Sequence, residues 1–177
     1  QNPVRNLLPC DGSLVGRYTI LNTDKKESAG IIPHYMTIRP MVGARLGNLL
    51  FQFASLQGLA KMHNYIPVLY YENPLFDYFE LVDEKNITIS ISNGTEYIEK
   101  VCCTYNEELN NLHHLKNWTL NGYFQVWKYF GHIHKSIRKL LTFKKKHKIK
   151  VNNFLRAVSR KGVLNICVHV RRSDFMY

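Results

Sequence analysis

No stretch of this 177-residue chain approaches the roughly 20 consecutive apolar residues that a membrane-spanning helix needs, because charges or amides break every apolar run. Neither an anchor nor a signal-type segment can be read within it. The chain opens on Gln1 rather than Met, so its natural start is expected to lie upstream. Acidic residues are scarce, 13 Asp and Glu against 24 Lys and Arg, which leaves a formal charge of +11. Such an excess admits an anionic partner: nucleic acid, a membrane surface or a phosphorylated substrate. Much of it falls between residues 135 and 161, most densely at Lys144, Lys145, Lys146, Lys148 and Lys150. No nucleic-acid-reading motif accompanies that run, and its aromatics are not interleaved for base stacking. It therefore reads as a solvated helix face and loop, and nucleic acid is not an expected partner. Also missing are a Gly-x-Gly-x-x-Gly fingerprint, a Walker lysine, a Cys-x-x-Cys pair, internal repeats and low-complexity tracts beyond the lysines.

Cysteine is sparse, with four in all. Cys102 and Cys103 are adjacent; on a strand they would point to opposite faces and not pair with each other. One of them could pair with Cys10. Cys167, inside an apolar run, is expected to be a buried free thiol. Compartment is better marked by three N-x-S/T sequons, at Asn86, Asn93 and Asn117, which together indicate lumenal or extracellular exposure.

Residues 1–30 mix Asn, Pro, Gly, Ser and Asp with little periodicity and read as a lead-in or stem. Tyr35–Ile38 is strand-like, and a glycine-bearing turn follows over residues 43–47. Leu46, Leu49, Leu50, Phe53, Leu56 and Ala60 then recur at helical spacing, with Asn64 as a stop and Gly58 weakening the last turn. Residues 66–71 form an apolar run of strand length. Strand, turn, helix and strand make a βαβ unit, hence an α/β fold with a Rossmann-like parallel sheet. Further on, the pattern predicts a short helix over 74–81 and strands over 87–91, 97–105 and 120–124. Helices are predicted over about 125–141 and 153–161. Residues 163–170 form a near-continuous apolar run, expected as a strand buried in mid-sheet. A domain is not expected to close on such a strand, so the chain reads as truncated at both ends. The expected division is a stem (1–30), a Rossmann-like domain (31–162) and the start of a second domain (163–177).

Arg171 and Arg172 follow that last strand directly, where open α/β sheets place ligands. Guanidinium groups suit phosphate oxygens, although pairing with a local carboxylate such as Asp174 fits the spacing equally well. The turn before the strong helix could offer backbone N–H groups to an anion, or could be a tight turn with Asn48 as helix cap. The aromatic run of residues 121–130 could line a sugar groove or form core. His113, His114, His132 and His134 lack partners at metal-ligand spacing, and no metal site is expected.

Three separated segments resemble signatures of the galactoside α-1,2-fucosyltransferase family, glycosyltransferase family 11. Gly43-Ala44-Arg45-Leu46-Gly47-Asn48-Leu49-Leu50-Phe51-Gln52-Phe53-Ala54 is similar to its Gly-Arg-Leu-Gly-Asn-Gln-Met-Phe-Gln-Tyr-Ala segment. Gly122-Tyr123-Phe124-Gln125, with Lys128-Tyr129-Phe130, resembles its Gly-Tyr-Phe-Gln-Ser…Lys-Tyr-Phe segment. His169-Val170-Arg171-Arg172-Ser173-Asp174 matches the His-x-Arg-Arg-x-Asp motif of a wider set of fucosyltransferases. Leu49, Val126 and Ser173 depart from the family's usual Gln, Ser and Gly. The resemblance implies two Rossmann-like domains of GT-B type and inverting transfer of fucose from GDP-fucose to a β-galactoside, with no metal or other cofactor. Charge gathering on the departing diphosphate calls for fixed donors; Arg171 or Arg172 is expected to supply them, helped by Gly47 and Asn48, with Asp174 orienting an arginine and His169 as a hydrogen-bonding residue beside the substrate. The resemblance also implies a Golgi lumenal enzyme held by a single N-terminal anchor, and the present residues alone are expected to be inactive. Two other readings stay open at this point: an inactive relative that binds GDP or glycan, and a basic interaction module.

Overall fold

A computed structural model describes residues 15–20, 34–41, 43–70, 72–81, 86–90, 95–112, 116–160, 162–164 and 166–169. The elements run β1 (Val15–Ile20), β2 (Tyr35–Ile38), α1 (Leu46–Met62), β3 (Ile66–Tyr70), α2 (Leu75–Tyr78), β4 (Asn86–Ser90), β5 (Thr95–Ile98), β6 (Trp118–Asn121), α3 (His134–Leu140) and α4 (Lys145–Val158). Among the described residues six strands form one sheet in the order β4-β1-β3-β2-β6-β5. β3, β2, β6 and β5 run parallel, whereas β1 pairs antiparallel with both β3 and β4. The fold is thus α/β with a four-stranded parallel sheet, as the βαβ pattern requires.

α1 is predicted to within a residue. It is enclosed on all sides through its middle, with every residue from Gln52 to Ala60 buried. It ends where Asn64 takes φ +63°, a left-handed position that asparagine tolerates. Met36, Ile38, Leu69, Leu120, Phe53 and Leu56 form the centre of a core that extends to Phe124 and Tyr129.

Several expectations are corrected. β1 lies inside the segment read as a lead-in; it pairs on both edges, with Tyr18 opposite Tyr70 and Ile87. The predicted strand over 97–105 stops at Ile98, and the chain then turns through Cys102 and Cys103. The predicted helix over 125–141 is broken into two 3-10 turns, Trp127–Tyr129 and Gly131–Ile133, followed by α3. Gly131 packs against the Trp127 indole, where a Cβ would approach ring carbons to 2.9 Å.

The chain divides into two compact units, Gln1–Thr142 and Phe143–Tyr177; the sequence placed its boundary at 162. In the second unit α4 begins eight residues earlier than predicted. The sequence gives no signal for that start: Lys144 supplies no side-chain cap, and the first turn holds no acidic residue. Residues 163–170, expected as a buried strand, are in no strand where they are described. Leu164, Ile166 and Val168 are 84%, 80% and 78% exposed. Apolar content proposes a buried strand, but partners make one, and none pairs with this segment among the described residues. Cys167 is correspondingly exposed rather than buried.

Candidate functional site at the carboxyl ends of the parallel strands

The connection from β2 through α1 leads to β3 on one side of β2, while β6 lies on the other side. The strand order therefore reverses between β2 and β6, and in open α/β sheets the crevice beyond the carboxyl ends at such a point receives ligands. The chain leaves β2 at Arg39 and β6 at Gly122. Arg39 N–H donates to Leu120 O (2.8 Å) and Glu99 N–H to Asn121 O (2.8 Å), so both neighbouring segments are fastened to β6 at this level.

Gln52, buried on α1, organises the place. Its Nε2 donates to Arg39 O (3.1 Å) and to Gly122 O (2.7 Å), tying together the ends of both strands. Ser55 Oγ, one turn further along α1, donates to Phe124 O (2.8 Å). Gly122 has φ +152° and Phe124 φ +49°. The tight turn they make is held from the far side by the Glu99 carboxylate, which accepts from Tyr123 N–H (2.7 Å) and Phe124 N–H (3.1 Å). A Cβ on Gly122 would lie 2.4 Å from Glu99 Cβ, so only glycine fits beside that carboxylate. Beneath the turn Phe124 and Tyr129 meet edge to face at 6.1 Å. Burial first, then nearby groups including Glu99, raises the Tyr129 hydroxyl above its ordinary range. It stays protonated, accepting from Asn106 N–H (2.8 Å) and donating to Thr104 O.

Beyond the turn, Gln125 Nε2 donates to Asn48 Oδ1 (2.9 Å). The segment 43–54 and the segment 122–130 thus meet side chain to side chain, 77 residues apart in sequence. α1 starts at Leu46, and its first intrahelical bond runs from Leu49 N–H to Arg45 O. The first N–H groups of a helix lack intrahelical acceptors and carry the positive end of its dipole, while in the turn before α1 the Ala44 N–H is taken by Met41 O (3.0 Å). A Cβ on Gly47 would meet nothing within 4 Å, so packing does not demand that glycine, and a ligand can approach the backbone there. Arg39, half-buried at the end of β2, lies 2.8 Å from Glu96 Oε1 as an ion pair.

A Caenorhabditis elegans protein named galactoside 2-alpha-L-fucosyltransferase is 31% identical over 98% of this chain and 47% of its own length. A second protein of that organism, C06E1.7, whose name gives its glycosyltransferase assignment as provisional, is 24% identical over 75% of the chain and 39% of its own length. The chain is similar to a fucosyltransferase along nearly its whole length. It spans under half the length of either relative. No family model matches, and no solved structure matches.

The residues singled out from the sequence fall as follows. Gly47 and Asn48 stand on the first turn of α1, exposed and half-buried respectively. Asn48 is not the helix cap: α1 begins after Arg45, and the Asn48 side chain is engaged by Gln125 instead. His169 is exposed and in no regular element, whereas Arg171, Arg172 and Asp174 lie outside the described residues. Within the aromatic run the core reading holds for Phe124 and Tyr129, each 1% exposed, while Trp127 is 66% exposed. His132 and His134 are both exposed, and His113 and His114 lie outside the described residues. Sequence reasoning missed Arg39, Gln52, Ser55, Glu99 and Gln125 as an ensemble.

Of the three sequons, Asn93 lies outside the described residues and Asn86 opens β4. Asn117 has a structural task. Its Oδ1 accepts from Tyr35 N–H (2.9 Å) at the start of β2, and Thr119 of the same sequon is buried inside β6. Asn117→Ala is expected to cost about 1–2 kcal/mol by leaving that N–H without its acceptor. Urea unfolding of protein made without glycosylation separates this loss from any glycan effect; an unchanged midpoint would refute it.

Proposed function

We propose that this chain forms the front part of a galactoside α-1,2-fucosyltransferase of glycosyltransferase family 11, with GT-B architecture. In this reading it transfers fucose from GDP-fucose to a galactose hydroxyl of a glycan, with inversion and without a metal. The observation that carries the reading is the junction of segments 43–54 and 122–130 at the crossover of the parallel sheet. Two of the three stretches that resemble the family thereby form one site. Similarity to a protein named as such an enzyme supports it.

As the fucosyl bond breaks, negative charge gathers on the departing β-phosphate, and fixed donors must meet it. Arg171 and Arg172 take that role, Asp174 orients an arginine, and His169 contributes a hydrogen bond. Gly47 and Asn48, on the first turn of α1, serve as supporting substrate contacts. Residues 163–177 open the nucleotide-binding domain. The setting is the Golgi lumen, with an anchor preceding Gln1 and glycans on exposed sequons; no described helix is itself long and apolar enough to cross a membrane.

The test is fucose transfer from GDP-fucose to a β-galactoside by the full-length protein, with Arg171→Ala and Arg172→Ala alongside. At least one variant is expected to lose about 100-fold or more in kcat. Wild-type activity in both removes the arginines from the chemistry, and no transfer by the wild type removes the activity itself. Residues 1–177 alone are expected to show no turnover.

A further inference from the structure

Cys102 and Cys103 do not sit on a strand with their side chains opposed. They occupy the turn after β5, both exposed, and Cys103 takes φ +65°, a left-handed conformation that side chains seldom adopt. That backbone brings both side chains to one side. The two sulfurs stand 2.6 Å apart, well inside the separation of non-bonded sulfurs. Cys103 Sγ also donates to Gln125 Oε1 at 3.4 Å, and Gln125 in turn donates to Asn48. The thiols therefore adjoin the hydrogen-bonded link that joins the two halves of the site.

We infer that Cys102 and Cys103 form a dithiol–disulfide couple, closing a ring between adjacent residues in the turn that abuts Gln125. The oxidant is another disulfide, either of low molecular weight or of a protein oxidoreductase. One thiolate attacks a sulfur of that disulfide and expels a thiol, giving a mixed disulfide. The second cysteine, losing its proton, then displaces the remaining thiol. Two S–H bonds and one external S–S bond are lost; one internal S–S bond and two external S–H bonds form, so atoms and electrons balance. The thiol of Cys102 is pushed up to about 11, chiefly by its hydrogen bond with Cys103 and then by burial and the charges of Cys103 and Glu99.

Adjacency decides which kind of disulfide this is. Neighbouring Cα atoms are about 3.8 Å apart, below the roughly 4.4–6.8 Å that unstrained bridges span. The closed ring is accordingly a readily reduced bond rather than a structural staple. Closing it also removes the S–H that Cys103 offers to Gln125, so the redox state of the turn reaches Asn48 through one amide.

The test equilibrates the full-length protein in an oxidising glutathione buffer, alkylates free thiols and maps peptides by mass spectrometry. The peptide holding both cysteines is expected unlabelled and lighter by two hydrogens. After mild reduction it should take two alkyl groups. Cys102→Ser and Cys103→Ser, both at exposed positions, should each leave a single free or glutathionylated thiol. The side-chain amide resonance of Gln125 should shift on reduction of the wild type and stay fixed in Cys103→Ser, which has no thiol facing Gln125. Full labelling before reduction overturns the couple, as does a bridge from either cysteine to Cys10 or Cys167. A Gln125 resonance indifferent to redox state overturns its link to the site.

Discussion

Gly58→Ala is expected to destabilise the protein by about 3 kcal/mol, although the same change in an ordinary helix stabilises it by about 1 kcal/mol. A Cβ on Gly58 would come 2.0 Å from the carbonyl oxygen of Tyr129 and 2.7 Å from Cα of Phe130. Both obstacles are backbone, so neither can rotate aside as a side chain would. The 3-10 turn Trp127–Tyr129 is itself fixed, since Tyr129 is buried between Phe124 and the Tyr105 ring. Relief requires moving α1 away from that turn, which opens space around Phe53 and Leu56 in a close-packed core. The overpacking penalty therefore outweighs the gain in helix propensity. Urea denaturation decides the matter: a midpoint at or above the wild-type value would show that α1 and the turn do not approach as described.

That glycine illustrates what the sequence could and could not convey. Hydrophobic period, glycine turn and Asn64 locate β2, α1 and β3, because those signals are local and act through backbone conformation. Gly58 reads only as a weak spot in a helix, since its reason lies 71 residues away, at Tyr129. β1 escapes for a related reason: its pairing with β3 and β4 is non-local, and its strand-forming Val15, Tyr18, Thr19 and Ile20 sit in a stretch otherwise rich in turn residues. The first turns of α4 hold four lysines and no cap, so its start runs against the helix dipole and leaves no readable mark. Segment 163–170 errs in the opposite direction, having the composition of a buried strand while its described residues are exposed.

The site was half legible. The glycine turn and the family resemblance singled out Gly47, Asn48 and the segment 122–125, though not the hydrogen bond that joins Asn48 to Gln125. One signal was available: Gln52 and Ser55 stand three apart, hence on one face of α1, within a stretch otherwise fit for burial. Polar side chains enclosed in that way require partners, and carbonyls at strand ends are the partners at hand. Glu99 carried no comparable signal, because its role depends on where β5 happens to stop.

Gln52 is accordingly where stability and function should part from each other most visibly. Gln52→Leu keeps the volume and the helix propensity but removes both donors, leaving Arg39 O and Gly122 O without this partner. The expected cost is about 2–3 kcal/mol. Gln52→Glu keeps the shape and replaces the donor amide with a group that, when ionised, faces two carbonyl oxygens in a buried place. Burial and those oxygens raise the carboxyl pKa in the folded state above its unfolded value of about 4.3. The deficit is therefore smallest below that value, grows as pH rises towards the folded pKa, and is largest at neutral pH, where it should exceed that of leucine. Unfolding midpoints for the three proteins at acidic and neutral pH give the comparison. A Gln52→Glu deficit that does not change with pH would mean that the side chain has left the strand ends. Where the variants do fold, Gly122 is no longer tied to Arg39. The turn carrying Gln125 then loses its alignment with Asn48, and, on the proposed function, transfer by the full-length protein should fall further than the loss of folded protein accounts for. Activity proportional to the folded fraction would instead confine Gln52 to holding the fold.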